Sequence, residues 1–182
     1  MERQNLRRIS RSQIVPPIFA VIYNFMTWFE GSALGHVMRE SGVWTYGIVN
    51  LVHILGIGCL FGSVLILDLR LIGFWRNIAL SSISAPAVPI AAAGFTIAAL
   101  SGICLLATKA TEYAGNPFLY IKFPAIAVGI INVAVLTRLP AWKARASREL
   151  SARERSQLAV AGGVSLFSWL TAITAGRMIG YW

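Results

Sequence analysis

The sequence predicts an all-α integral membrane protein, a bundle of four transmembrane helices preceded by an amphipathic helix at the membrane interface. Of its 182 residues, 57% are hydrophobic and 13% are charged, about half the charged fraction of an ordinary soluble domain. The mean hydropathy is +0.67. This length allows one compact bundle and no separate soluble domain.

Four long runs with few or no charges are the predicted spans. Each has about the 20 residues that a helix needs to cross the bilayer core. They cover residues 44–73, 89–108, 118–136 and 157–182, and the polar segments between them are predicted loops. The predicted parts of the chain are a basic tail at 1–13, an interfacial helix with its connector at 14–43, and the four-helix transmembrane domain at 44–182.

The segment 14–29 precedes these spans and carries no charge, but its length is slightly short for a span. On a helical wheel the polar residues Tyr23 and Asn24 share one face, and Phe25 lies away from it. That pattern favours an amphipathic helix in the membrane interface. The alternative is a fifth span, because the arginines of 1–13 would prefer the cytoplasm and the chain would then have to cross.

The net charge of +9 comes largely from basic residues that lie beside apolar runs, in the tail and between residues 138 and 155. This placement indicates contact with anionic lipid headgroups of the bilayer. No nucleic-acid-binding motif accompanies the charge, so the sequence does not predict a nucleic-acid partner. By the positive-inside rule, residues 70–85 and 138–156 face the cytoplasm, and His53 lies in the outer half of the bilayer.

The first span contains a histidine, His53, among apolar residues, and an ionisable side chain inside a span is a functional-site candidate. Asn50, His53 and Gly56 follow at three-residue spacing, so they share one stripe of the helix. Gly56 leaves room for a neighbouring helix or a flat ligand. Because axial histidines of bundle helices hold many b-type haems, His53 is predicted to ligate a haem iron or another metal ion. The alternative is a neutral histidine that hydrogen-bonds to a facing helix.

A haem with two axial histidines needs a second imidazole, and His36 is the only other histidine. Met38, Met178 or a histidine of a partner chain are weaker alternatives. Lys122 and Arg177, near the outer ends of their spans, can pair with a haem propionate, a quinone oxygen or an acidic partner, or else snorkel to the headgroups. The predicted cofactor-binding residues are His53, Asn50, Gly56, His36, Lys122 and Arg177, with His53 as the metal ligand.

Other features of the spans predict structure more than chemistry. Asp68 and Arg70 are predicted to form an ion pair or a helix cap, with a proton-entry role as the alternative. Gly58 and Gly62 have the small-xxx-small spacing that lets helices approach closely. No catalytic residue is predicted, since the sequence has no triad, phosphate loop, HExxH motif or paired carboxylates.

A set of short motifs runs along the spans: Trp44, Tyr46, residues 53–56, 61–63 and 67–73, Ser101, Gly102, Tyr113, residues 116–118, Lys122 and Asn132. As a set, from about Met26 to the C terminus, they resemble an uncharacterised family of small bacterial inner-membrane proteins. The resemblance implies a four-helix bundle in that membrane, similar in layout to cytochrome b561-type haem proteins and copper-resistance D proteins, and it implies no activity. Members often have a histidine where this sequence has Thr137, so the obvious partner of His53 is missing.

Two functions are predicted from these features. The first is a small integral membrane subunit in electron transfer, associated with haem b or a quinone, between the membrane and an outer-face partner. The alternative is a non-catalytic anchor or scaffold of a larger complex, with other membrane or periplasmic subunits as partners. A transporter is disfavoured, because the spans lack the multiple charges and broken helices of a substrate path.

Overall fold

The computed structural model describes residues 17–182, and within this range the chain is helical throughout apart from short connections. The predicted tail at 1–13 and residues 14–16 of the predicted interfacial helix lie outside the described residues. The helices are α1 (Pro17–Glu30), α2 (Ala33–Glu40), α3 (Gly42–Ile72), α4 (Leu80–Thr108), α5 (Ala110–Tyr113), α6 (Pro117–Arg138), α7 (Pro140–Ala144) and α8 (Ala152–Met178), followed by a 3-10 turn at Ile179–Tyr181.

Four of these helices, α3, α4, α6 and α8 with its 3-10 turn, are long and apolar enough to cross a membrane. This confirms the predicted four-span bundle for the described residues. The described part of α1 has 14 residues. At 1.5 Å per residue it is about 21 Å long, which is less than the bilayer core.

The spans pack in the order α4, α3, α8, α6, with α3 between α4 and α8. The contact between α3 and α4 is close at two glycines. A Cβ atom built on Gly56 would lie 2.8 Å from the backbone nitrogen of Ala98, and one built on Gly94 would lie 2.8 Å from the carbonyl oxygen of Gly56. Because neither glycine has a side chain, the two helix backbones meet directly, as small residues allow in membrane bundles.

The middle of the bundle is filled by Trp169 of α8. Its ring packs with Leu60 and Val64 of α3 and meets Phe95 of α4 edge-on, with centroids 5.9 Å apart. On the other side the indole lies over Gly129 of α6, where a Cβ would come within 3.0 Å of it. One aromatic side chain therefore contacts all three other spans and fixes their spacing.

Three short or amphipathic helices, α1, α2 and α5, cover one end of the bundle, which we name the capped end. Met26 of α1 is buried against Ala110, Ala114 and Leu119. One carboxylate oxygen of Glu30 accepts hydrogen bonds from the amide (2.8 Å) and the hydroxyl (2.7 Å) of Thr111. These contacts attach α1 to the capped end of the bundle.

The opposite end, which we name the basic end, contains the loop 73–79 and α7. Gly73, at φ +122°, ends α3 in a conformation that L side chains rarely adopt. The guanidinium of Arg145 stacks 4.0 Å above the Trp142 ring and donates a 3.0 Å hydrogen bond to the buried hydroxyl of Ser84. These contacts attach α7 to the first turns of α4.

The structure corrects two boundaries of the sequence prediction. Helix α4 begins at Leu80, nine residues before the predicted span, and includes Pro86 and Pro89. Prolines are tolerated in membrane helices when the surroundings satisfy the freed backbone groups. The predicted connector contains α2, whose first turn is capped by the Ser32 hydroxyl, which accepts from the amide of Gly35 at 3.4 Å.

The predicted close approach at Gly58 and Gly62 is wrong for the described chain. Neither glycine has a heavy atom within 4 Å of a built Cβ. The spacing was right for a close approach, but the stripe that meets α4 contains Gly56, about 200° around the helix from Gly58.

We predict that Gly56→Ala lowers the melting temperature in detergent, because the new methyl group would overlap the backbone of α4. Overpacking of this kind costs about 1–3 kcal/mol. Gly58→Ala is the matched control on the same helix, and we expect it to leave the melting temperature unchanged or slightly raised. Equal destabilisation by both substitutions would contradict the packing described here.

A second prediction concerns Glu30. The hydrogen bonds from the amide and hydroxyl of Thr111 hold the pKa of this carboxyl below its usual value. Their stabilisation is therefore fully present above about pH 4.3 and is lost as the pH falls through the lowered pKa. We expect Glu30→Gln to weaken the attachment of α1 by about 1–2 kcal/mol at neutral pH.

Hydrogen exchange of the Thr111 amide measures this effect. Protection relative to Glu30→Gln should be greatest near neutral pH and should vanish in acid. Glu40→Gln is the control, because Glu40 is exposed and lies 3.8 Å from His36 on the surface of α2. Protection that is the same in Glu30→Gln and the native chain would refute the role of this bond.

Candidate functional site

His53 lies at the contact between α3 and α4, half-buried, about 17 Å along α3 from its first residue. Its Nδ1 atom is 2.9 Å from the carbonyl oxygen of Ala98 and 3.1 Å from the Ser101 hydroxyl. The ring packs on Gly102, where a built Cβ would lie 3.0 Å from Cε1. The imidazole therefore faces protein, in a slot that a glycine keeps open.

The hydrogen bonds of Nδ1 assign the tautomer of the neutral ring. A carbonyl oxygen can only accept, so Nδ1 must carry the proton that it donates to Ala98. The hydroxyl of Ser101 donates to the carbonyl of Ile97 in its own helix, which leaves its oxygen free to accept from Nδ1 as well. In the neutral ring Nε2 then has a lone pair, and it has no hydrogen-bond partner among the described residues.

Lys122 of α6 is another ionisable side chain in this half of the bundle. Its side chain is half-buried and runs along Gly176 of α8, where a built Cβ would lie 3.3 Å from Nζ. Lys122 and His53 lie on different helices, α6 and α3, both in the half of the bundle near the capped end. No carboxylate pairs with Lys122 among the residues that the structure describes. The Nε2 lone pair of His53 and the ammonium of Lys122 are thus two polar groups in the same half of the membrane-spanning bundle.

The other predicted site residues take different places. Asn50, one turn before His53, is half-buried, and its side-chain amide makes no hydrogen bond within the described chain. The space beside Gly56 is filled by the backbone of α4, so this side of α3 contacts a helix and has no room for a flat ligand. His36 is exposed on α2 beside Glu40. Arg177 is exposed, and its guanidinium bonds to the hydroxyl of Tyr181 and lies over that ring.

Two open grooves run along the surface between α6 and α8, with volumes of about 360 Å³ and 350 Å³. Neither is lined by His53 or Lys122. Met178, one of the weaker ligands considered from the sequence, lines the first groove, and Met38 is buried in α2. Of the predicted site residues, His53 and Lys122 are therefore the two ionisable side chains held between spans, His53 against α4 and Lys122 against α8.

The predicted pairing of Asp68 with Arg70 is wrong. Arg70 donates from Nε to the carbonyl of Ile78 at 2.8 Å, so it holds the loop of the basic end. Asp68 points the other way and is buried, 3% exposed, against α8. Residues two apart on a helix do not face each other, which is why the sequence proximity did not become an ion pair.

The sequence did not indicate which residues would orient the imidazole. Ala98 contributes only a backbone carbonyl, and no side-chain pattern can show such a partner. Ser101 and Gly102 carried a signal, a small hydroxyl beside a glycine within an apolar span. They became interpretable only when the structure placed them opposite His53.

We predict that Gly102→Val pushes the ring out of its slot and breaks the bond between Nδ1 and Ala98. Nitrogen-15 labelling of histidine gives signals from only two imidazole rings, each with two nitrogens, because the chain has two histidines. The His53 signal should show the tautomer protonated at Nδ1 in the native protein and lose it in the variant. Gly163→Val is the control, since nothing lies within 4 Å of a Cβ there. A ring protonated at Nε2 in the native protein would contradict the geometry.

Comparison with known proteins gives a family and no activity. No curated protein and no solved structure matches the chain. The model of the family described as "Family of unknown function (DUF6644)" matches residues 25–182, which agrees with the extent of the resemblance in the motifs of the spans. The chain, a multi-pass membrane protein by its four apolar helices, therefore belongs to the DUF6644 family.

Proposed function

We propose that this protein is a small integral membrane subunit that binds the headgroup of a membrane quinone between His53 and Lys122 and takes part in electron transfer with an outer-face partner. The observation that carries the proposal is the fixed orientation of His53. Its Nδ1 donates to the Ala98 carbonyl, and its Nε2 lone pair is left without a partner among the described residues.

The two side chains suit the two chemical states of a quinone. A quinol hydroxyl can donate to Nε2 of the neutral imidazole, and a quinone carbonyl can accept from the Lys122 ammonium. When a redox partner removes one electron from the quinol, Nε2 takes the one hydroxyl proton that is released with it. Ionisable side chains inside spans are costly, and this use explains why the spans contain these two.

The position in the membrane also fits a lipid-soluble ligand. His53 and Lys122 are half-buried, not sealed in the core, and the spans around them expose apolar side chains such as Ile54 and Phe123. A molecule dissolved in the bilayer can approach from the side. By the positive-inside rule we place the basic end in the cytoplasm of a bacterial inner membrane, so that the capped end faces the partner.

The arrangement supports a quinone over a haem with two histidine ligands. His36, the only other histidine of the sequence, is exposed on α2 and lies beside Glu40, not beside His53. A haem held by His53 alone, or with a ligand from a partner chain, remains a prediction of the sequence. The layout shared with cytochrome b561-type and copper-resistance D proteins stays a prediction as well.

We predict that Lys122→Met weakens binding of decyl-ubiquinone to the purified protein in lipid nanodiscs by about tenfold or more. A hydrogen bond to a charged group is worth about 1.5–3 kcal/mol, and about 1.4 kcal/mol is a factor of ten. His53→Ala should weaken binding severalfold, because the lost bond is a neutral one. Lys109→Met is the matched control, since Lys109 is exposed at the capped end and pairs with Glu112 at 3.1 Å.

An absorption spectrum before and after reduction completes the experiment. A haem spectrum that is lost in His53→Ala would show that His53 binds a haem and not a quinone. Equal quinone affinity in the native protein, Lys122→Met and Lys109→Met would refute the proposed site.

A second candidate function is a non-catalytic anchor of a membrane complex. The observation that favours it is the open face of α3, where Gly58 and Gly62 have no neighbour within 4 Å and adjoin exposed Leu55. Such a face suits close packing against a helix of another subunit. Loss of a co-purifying subunit in Gly62→Leu, together with a native protein that binds no quinone, would support this function over the first.

A further inference from the structure

The basic end of the bundle contains an acid that the proposed quinone site does not use. Asp68 lies on α3, one turn before the helix ends, and is 3% exposed. Ser165 of α8, itself 5% exposed, lies beside the carboxyl. The second oxygen, Oδ2, is buried and has no hydrogen-bond partner among residues 17–182.

No counter-ion reaches this carboxyl from the helices packed on α3. Cys104, near the capped end, is the only ionisable side chain of α4, and α2 lies wholly at that end. On α8, Gly162 and Ser165 face Asp68, and Arg155 precedes Gly162 by seven residues, about 10 Å. The charged side chains nearest in sequence or at the same end are engaged elsewhere or exposed. Arg70, Arg76 and Arg155 donate to the carbonyls of Ile78, Gly73 and Leu150, respectively. Arg145 donates to the Ser84 hydroxyl and the Trp142 carbonyl, and Glu154 pairs with Arg148. The side chains of Arg138, Lys143 and Arg153 are exposed.

A buried carboxylate with an unpartnered oxygen and no counter-ion is strongly unfavourable, because water has been removed and nothing replaces it. The same carboxyl as a neutral acid needs far less compensation. As a neutral acid it is also a donor as well as an acceptor, which suits the single hydroxyl of Ser165.

We propose that Asp68 is a proton-binding site of this protein, which holds a proton at neutral pH and exchanges it with water at the basic end. The reaction is the binding of one proton to the carboxylate, with no other group formed or lost. A metal ion fits this site less well than a proton does. Hard cations take about six to eight oxygen ligands, whereas the described side chains at this site supply only the Asp68 carboxyl and the Ser165 hydroxyl.

Asp68 lies nearer the basic end of α3 than His53 does, beside the packed apolar cluster of that end that contains Leu67 and Leu71. Four residues separate Asp68 from Ile72, the last residue of α3, a rise of about 6 Å. In the other direction Val64, Leu60 and Trp169 form a packed apolar and aromatic layer. Proton binding at Asp68 is therefore independent of quinone binding, and the failure of one proposal does not affect the other.

Carbon-13 labelling of the aspartate side-chain carboxyl tests the proposal directly. Asp68 is the only aspartate in the sequence, so the labelled protein in nanodiscs gives one such signal. We expect the chemical shift of a neutral acid at about pH 6, where an exposed aspartate is ionised, and a change to the ionised form in the alkaline range. Asp68→Asn assigns the signal by removing it.

Three outcomes would overturn the proposal. They are an ionised carboxyl at about pH 6, a neutral carboxyl that does not respond up to about pH 10, and a shift that follows sodium concentration at constant pH. Thermal unfolding provides a second measurement. The melting temperature of the native protein should fall in alkaline buffer more than that of Asp68→Asn, because only the native side chain becomes charged there.

Discussion

The contact between α3 and α4 at Gly56 and Gly94 is the constraint on which the rest of this structure depends. Two backbones can approach this closely only where neither residue has a side chain. Once they do, His53, one turn before Gly56 on α3, lies against the carbonyl of Ala98 and against Gly102. The orientation of the imidazole is therefore a consequence of helix packing and not of any motif around the histidine.

The two buried polar groups of α3 differ because their neighbours differ. His53 meets a helix that offers a carbonyl and a hydroxyl, so one ring nitrogen is satisfied and the other is left available. Asp68 meets a stretch of α8 built from small residues, Gly162 and Ser165 among them, and its Oδ2 has no hydrogen-bond partner among the described residues. Trp169 lies between them with its ring against α3, α4 and α6, so a packed aromatic layer separates the two polar groups.

Much of the candidate site could be predicted from the sequence, and the rest failed for a definite reason. The depth of His53 and the presence of Lys122 follow from their places in apolar runs. The pairing of Asp68 with Arg70 and the approach at Gly58 and Gly62 were wrong because each assumed which face of α3 meets another helix. An apolar helix in a membrane is hydrophobic all round, so hydrophobicity does not mark its buried face.

The sequence by itself determined the fold class, the number of spans and the list of ionisable groups inside them, because the bilayer demands long uncharged runs that composition reveals. Tertiary structure decided which of those groups meet. It placed His53 opposite Ala98, turned Asp68 away from Arg70, and left His36 on the surface. The physical reason is that helix rotation in a membrane is set by small residues and specific contacts between helices, which depend on partners distant in the chain.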